Sequence, residues 1–180
     1  MKSARILKAV FVLGIALPTA GVAGAQGTSL RVLGYSTTVP STWVSRGAAS
    51  TMRLAEYTVG SGTSSGAQVV VYYFGQGQGG DVAHNMARWK GQFSNPDGSP
   101  VQESVTHDAS GPFPITFAEY HGTYARGVGA GSAANAQANQ TLVAGIAETP
   151  KGTLFLQLFG PSADVASARK DFVGFVRGLQ

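Results

Sequence analysis

The sequence predicts an α+β domain: a mainly antiparallel sheet flanked by two helices. Three observations carry that prediction. Ala67–Phe93 reads as a strand, a glycine-rich bend and a helix. Most other strand-like runs follow one another with no helix between them, which favours antiparallel pairing. A second amphipathic helix closes the chain after Pro161.

The first run, Leu30–Tyr35, and the second, Thr37–Trp43, open the domain. Pro40 confines the second to a sheet edge or a strand end, because proline has no amide to donate. Thr51–Val59 is a strand whose apolar parity switches midway, with Met52 and Leu54 on one face and Tyr57 and Val59 on the other. A bulge or burial on both faces accounts for the switch. Gly60–Gly66 is a glycine- and serine-rich loop. In the strand that follows, Val69, Val71 and Tyr73 alternate with Val70, Tyr72 and Phe74, so both faces are apolar. Such a strand belongs in the middle of a sheet covered on both sides. Val82, Met86, Trp89 and Phe93 then form one helical stripe, with Asp81 at the N-cap position.

Asn95–Pro100 is a dense turn signal. Val101–His107 and Ile115–Tyr124 read as a hairpin across the turn Asp108–Pro114. Ala125–Gln140 has no apolar period and reads as an exposed, flexible loop. Leu142–Glu148 and Thr153–Phe159 form a last hairpin around Thr149–Gly152. Ser162 is the expected N-cap of the final helix, whose stripe is Val165, Phe172, Phe175 or Val176, and Leu179.

The first 25 residues do not belong to this domain. Lys2, Arg5 and Lys8 form a positive start, Ala9–Leu17 an apolar run, and Ala23-Gly24-Ala25 a small-residue cleavage site. That is the pattern of a secretory signal peptide, and the run is too short for a membrane span of about 20 residues. The expected organisation is a signal over 1–25 and one domain over 26–180, exported to the periplasm or the cell exterior. No stable membrane insertion is expected after cleavage. Three of the 13 basic residues lie in the leader, leaving 10 against nine acids, so nucleic-acid binding has no electrostatic basis. With no cysteine, the chain has neither disulfides nor thiolate metal sites.

Tyr35-Ser36-Thr37-Thr38-Val39-Pro40-Ser41-Thr42-Trp43 resembles the opening of PsbP-like domains, with Val39-Pro40 and Trp43 as the matching residues. Those domains share an α/β/α sandwich with the Ran-binding Mog protein. The element order from Leu30 to Leu179 fits that layout. Members include exported bacterial proteins of no known activity and accessory subunits of photosystem II. The resemblance therefore implies the fold and a binding or accessory role, with no catalytic residues, no cofactor and no stated ligand.

Several motifs bear on chemistry. Gly75-x-Gly77-x-x-Gly80 matches a dinucleotide fingerprint between strand and helix. An Asp81 carboxylate at the N-cap would occupy the amides a phosphate needs, so the motif reads as a bend. Gly62-x-Ser64-x-Gly66 lacks the strand-before, helix-after context of a nucleophile elbow. His107 and His121 fall at opposite ends of the expected hairpin, roughly 20 Å apart, too far to share a metal. Arg53, Glu119 and His121 are the candidate binding residues, being polar groups in otherwise apolar strands. The expected function is an exported, non-enzymatic module that binds a protein or a small ligand. The alternative is a small hydrolase-like enzyme using Glu119 and His121.

Mass spectrometry of the secreted fraction should find a chain that begins at Gln26, with or without cyclisation to pyroglutamate. A full-length chain confined to the cytosol would contradict export.

Overall fold

Every strand pair in the structure, a computed structural model, is antiparallel. It describes residues 28–48, 50–59, 66–126 and 135–180. The leader and Gly62 and Ser64 of the elbow-like motif lie outside the described residues, as does 127–134 of the expected loop. Strands β1 (Ser29–Val32) and β2 (Tyr35–Thr38) form a small hairpin of their own. The main sheet takes β3 (Val44–Ser45), β4 (Arg53–Val59), β5 (Ala67–Tyr73), β6 (Phe93–Ser94), β7 (Glu103–Asp108), β8 (Ile115–Tyr124), β9 (Gln137–Thr149) and β10 (Gly152–Pro161). Its order is β3-β4-β5-β10-β9-β8, with β6 and β7 both pairing β8.

The two-faced strands sit where their sequences require. β5 lies between β4 and β10, and β10 between β5 and β9. Helix α2 (Ser162–Arg177) covers one face, packing Val165, Phe172, Phe175 and Val176 onto Val69, Val71, Leu154, Leu156 and Leu158. Helix α1 (Val82–Lys90) covers the other, where Trp89 packs with Val70, Phe155, Ala144 and Ile146. Helix, sheet and helix make an α/β/α sandwich with a core on each side. The last residue is tied in as well: Gln180 and Ser36 exchange two backbone hydrogen bonds of 2.9 and 3.1 Å.

Asp81 caps α1 as its sequence indicates, its Oδ1 accepting from the His84 amide at 2.8 Å. Gly79 in the preceding bend has φ +92°, and a Cβ there would lie 2.8 Å from Phe155 and 2.9 Å from Phe74. The glycine bend is thus a turn that lets aromatic rings close over it, and the first turn of α1 after it already holds a carboxylate at the His84 amide.

Several boundaries differ from the sequence reading. The second run, expected over Thr37–Trp43, is strand only as far as Thr38, and Leu179 lies beyond the end of α2. The first run breaks at Leu33-Gly34, where Leu33 takes a left-handed φ of 53° that leucine seldom adopts. Phe93 does not extend the α1 stripe, because Gly91 ends the helix and Phe93 starts β6. Ser162 is not an N-cap; Pro161 holds that position without a side-chain bond. The Ser162 hydroxyl instead donates to the Asn139 carbonyl at 2.9 Å and accepts from Thr141 at 2.8 Å. Finally, β9 begins at Gln137, so the segment expected to be loop as far as Gln140 ends in strand.

Replacing Trp89, which is 2% exposed, by alanine should cost about 3–5 kcal/mol in denaturant unfolding, as large core truncations do. Asp81→Ala should cost clearly less, since it removes one cap from a surface position; equal losses would show that Trp89 does not anchor α1. A second prediction concerns Asp108. The Ser110 hydroxyl and amide and the Arg177 guanidinium hold its carboxyl at about 2, below the ordinary 3.8. This tether on α2 should be intact above the ordinary carboxylate range and lost as pH falls through about 2. An NMR titration that places the Asp108 midpoint at or above 3.8 would contradict the contact.

Candidate functional site

Two irregularities in the sheet create the most distinctive surface of the molecule. In β4 the register slips between Arg53 and Ala55: Ala55 faces Val71, whereas Arg53 faces Tyr72. Regular alternation would place Arg53 on the α2 face with Ala55, Tyr57 and Val59. The extra residue, Leu54, moves it to the α1 face beside Tyr72 and Glu56. In β9, Gln140 faces Gly122 and Gln137 faces Tyr124, so Ala138 and Asn139 together oppose Thr123. Asn139 takes a left-handed φ of 54°, which asparagine tolerates. This second bulge sets both Gln137 and Gln140 on the α1 face. Bulges re-aim side chains in this way.

The result is a cleft of two adjoining chambers on the α1 face. The first, of about 190 Å³, is lined by Arg53, Arg88, Arg126, Tyr72, Phe74 and Gln157, among others. The second, of about 360 Å³, is lined by Gln68, Asn135, Gln137, Gln140 and Phe159. Tyr124 and Arg126 line both, so the two chambers adjoin.

Each arginine is held by a partner from the scaffold. Arg53 pairs with Glu56 at 3.1 Å and lies 5.7 Å from the centre of the Tyr72 ring. The bond to Glu56 raises the guanidinium pKa still further, so this charge is permanent. Arg88 donates to the Asn85 Oδ1 at 2.7 Å. Asn85 is 3% exposed and spends its amide group on the Gly79 and Asp81 carbonyls, at 2.7 and 2.9 Å. Its oxygen is thereby aimed at Arg88. Arg126 donates to the Tyr72 hydroxyl at 2.8 Å and sits 4.1 Å over the Phe159 ring. Burial pushes the Tyr124 phenol up, while Arg126 and Arg88 act in the opposite sense. No carboxylate lines either chamber, and the ion pairs among the described residues include neither Arg88 nor Arg126. Tyr72 and Phe74 stack with ring planes 6° apart, and Phe74 is 37% exposed, so part of the floor is a flat aromatic shelf.

The three candidate binding residues are not brought together. Arg53 lies in the cleft; Glu119 and His121 lie on the α2 side of the sheet. Glu119 bridges His121 at 3.1 Å and Arg169 of α2 at 2.9 Å. His121 Nδ1 lies 2.8 Å from the Thr141 hydroxyl, which continues the chain to Ser162. Thr141 is 2% exposed, so this line of polar groups ties the start of α2 to β8 and β9 from within. Among the described residues no three His, Cys, Asp or Glu side chains cluster as a metal site.

Sequence reasoning missed Arg88, Arg126, Gln137, Gln140 and Gln157. One signal was available: Arg126 is the sole charged residue in Ala125–Gln140. Another was Gln157, a polar side chain within the apolar run TLFLQLF. The bulges that aim Arg53 and Gln137 left no unambiguous mark.

No protein-family model matches the chain, and no curated protein matches it. Solved structures do. The solution structure of cyanobacterial PsbP from Synechocystis sp. PCC 6803 aligns with a TM-score of 0.54, covering 91% of this chain and 96% of that one at 11% identity. A protein of unknown function from Pseudomonas aeruginosa, PA94, covers 82% of this chain and 92% of its own at 10% identity, but its TM-score of 0.37 is too low to carry an argument. At such identities the likeness is one of architecture, and the architecture is the one its Tyr35–Trp43 opening resembles: the chain has a PsbP-like fold.

Proposed function

We propose that this protein is an exported, non-enzymatic binding module that holds a small anionic ligand in the cleft on its α1 face. One observation carries the reading. Three guanidinium groups, from β4, α1 and the segment after β8, converge on one concave surface that no carboxylate lines. Glu56 offsets the charge of Arg53, but no ion pair among the described residues offsets Arg88 or Arg126, and an anion between them relieves their repulsion. Guanidinium groups also match carboxylate and phosphate geometry with paired donors. The leader sequence Met1–Ala25 supports export.

The arrangement favours binding over turnover. Among the described residues no nucleophile and base stand together in the cleft, whose polar lining is arginine, carboxamide and tyrosine. The hydrolase-like alternative rests on Glu119 and His121, and the hydroxyl that His121 meets is buried in the scaffold.

Titrating the protein with inorganic phosphate or benzoate should move the NMR amide signals of Tyr72, Trp89 and Tyr124. Arg88→Gln should weaken that response about tenfold, the worth of one charge-assisted bond. A response of equal strength in Arg88→Gln would sink the assignment of the anion to this cleft.

A further inference from the structure

The second chamber differs chemically from the first, and the difference narrows the ligand. Beside Tyr124 and Arg126, which it shares with the first, its polar lining is made of carboxamides, from Gln68, Asn135, Gln137 and Gln140. A carboxamide both donates and accepts. A row of them suits a partner that does the same at every position, as neighbouring hydroxyl groups do. Gln140 is 8% exposed and Gln157, on the floor of the first chamber, is 8% exposed. They lie on a face otherwise filled by Phe155, Ile146 and Leu142, where the Gln140 amide is fixed by donating to the Ala138 carbonyl at 3.1 Å. The chambers, of about 190 and 360 Å³, together reach the range of small-molecule sites, about 300–1,000 Å³. An extended peptide fits less well. The strands on the floor, β5 and β10, are paired on both sides, so the cleft presents no open strand edge for a peptide backbone to join.

We infer that the ligand is an anionic sugar: a hydroxyl-rich ring bearing a carboxylate or a phosphate. The anionic group lies among Arg53, Arg88 and Arg126, and the hydroxyl groups lie against Gln137, Gln140 and their neighbours. Arg126 stands at the junction and serves both halves. The sugar assignment rests on the anion-binding reading of the cleft and adds the second chamber to it.

The test is an NMR titration of the purified protein with four probes: glucuronate, glucose 6-phosphate, glucose and inorganic phosphate. At least one sugar acid should bind about tenfold tighter than both glucose and inorganic phosphate. Comparing glucuronate with glucose 6-phosphate identifies which anionic group the arginines select. Gln137→Ala, at an exposed position, should bring the sugar acid down toward inorganic phosphate and leave phosphate itself unchanged. Arg88→Gln should weaken both. Sugar acids that bind no tighter than inorganic phosphate, or that are indifferent to Gln137→Ala, would overturn the sugar assignment and leave the anion site standing. Glucose binding as tightly as glucuronate would overturn the anionic half. Silence from every anion would remove the anion-binding reading as well.

Discussion

Three adjacent strands that are apolar on both faces impose the main constraint on this molecule. β5, β10 and β9 present Val69, Leu156 and Val143 to one side and Val70, Phe155 and Ala144 to the other, and all are at most 1% exposed. A sheet of that kind is stable in water only when something lies across each face. The chain supplies one helix per face, but the two helices are unequal. α2 has 16 residues and runs roughly 24 Å; α1 has nine and runs roughly 13 Å. The ten residues of β10 span roughly 33 Å. α1 therefore cannot cover its face alone. Phe74, Tyr72, Tyr124, Arg53 and Arg126 occupy the remainder, and the cleft lies beside α1, with Arg88 of that helix on its edge.

The two faces are also held differently. α2 is fixed along its length: Ser162 bonds Asn139 and Thr141, Arg169 bonds Glu119, Arg177 bonds Asp108, and the Thr37 hydroxyl reaches the Phe175 carbonyl at 2.6 Å. These contacts draw β2, β7, β8 and β9 onto one helix. α1 has fewer ties to the sheet, chiefly the Trp89 ring and the Tyr120 hydroxyl, which donates to Glu103 at 2.7 Å and lies 3.1 Å from the Met86 carbonyl. A ligand site is better served by such a division, with a rigid back and a less encumbered front.

Much of the scaffold was legible because it is written in periodicity. The alternation in Ala67–Phe74 and Thr153–Phe159 marked the central strands, and the Val165–Leu179 stripe marked α2. The parity switch in Thr51–Val59 signalled the β4 bulge without saying where Arg53 would point. The polar start of β9 has the pattern of a loop because Gln137, Ala138 and Asn139 are exposed and Asn139 is left-handed. Apolar pattern cannot report a strand whose side chains face water or a cleft. The candidate site was least legible for the same reason. It is assembled from single polar residues on separate elements, and nothing in the spacing of Arg53, Arg88 and Arg126 along the chain reveals that they meet.

The β4 bulge also bears on how relatives of this protein should be compared. Leu54 is an inserted position in the sheet, and it exchanges the inside and the outside of everything before it on that strand. A homologue that lacks it would need its arginine one place along to reach the same cleft. Column-by-column alignment would then score a retained charge as a lost one. Ancestry at this site is better traced by counting which face a residue occupies than by matching letters, and a single-codon deletion would be enough to turn the cleft's first arginine toward the opposite core.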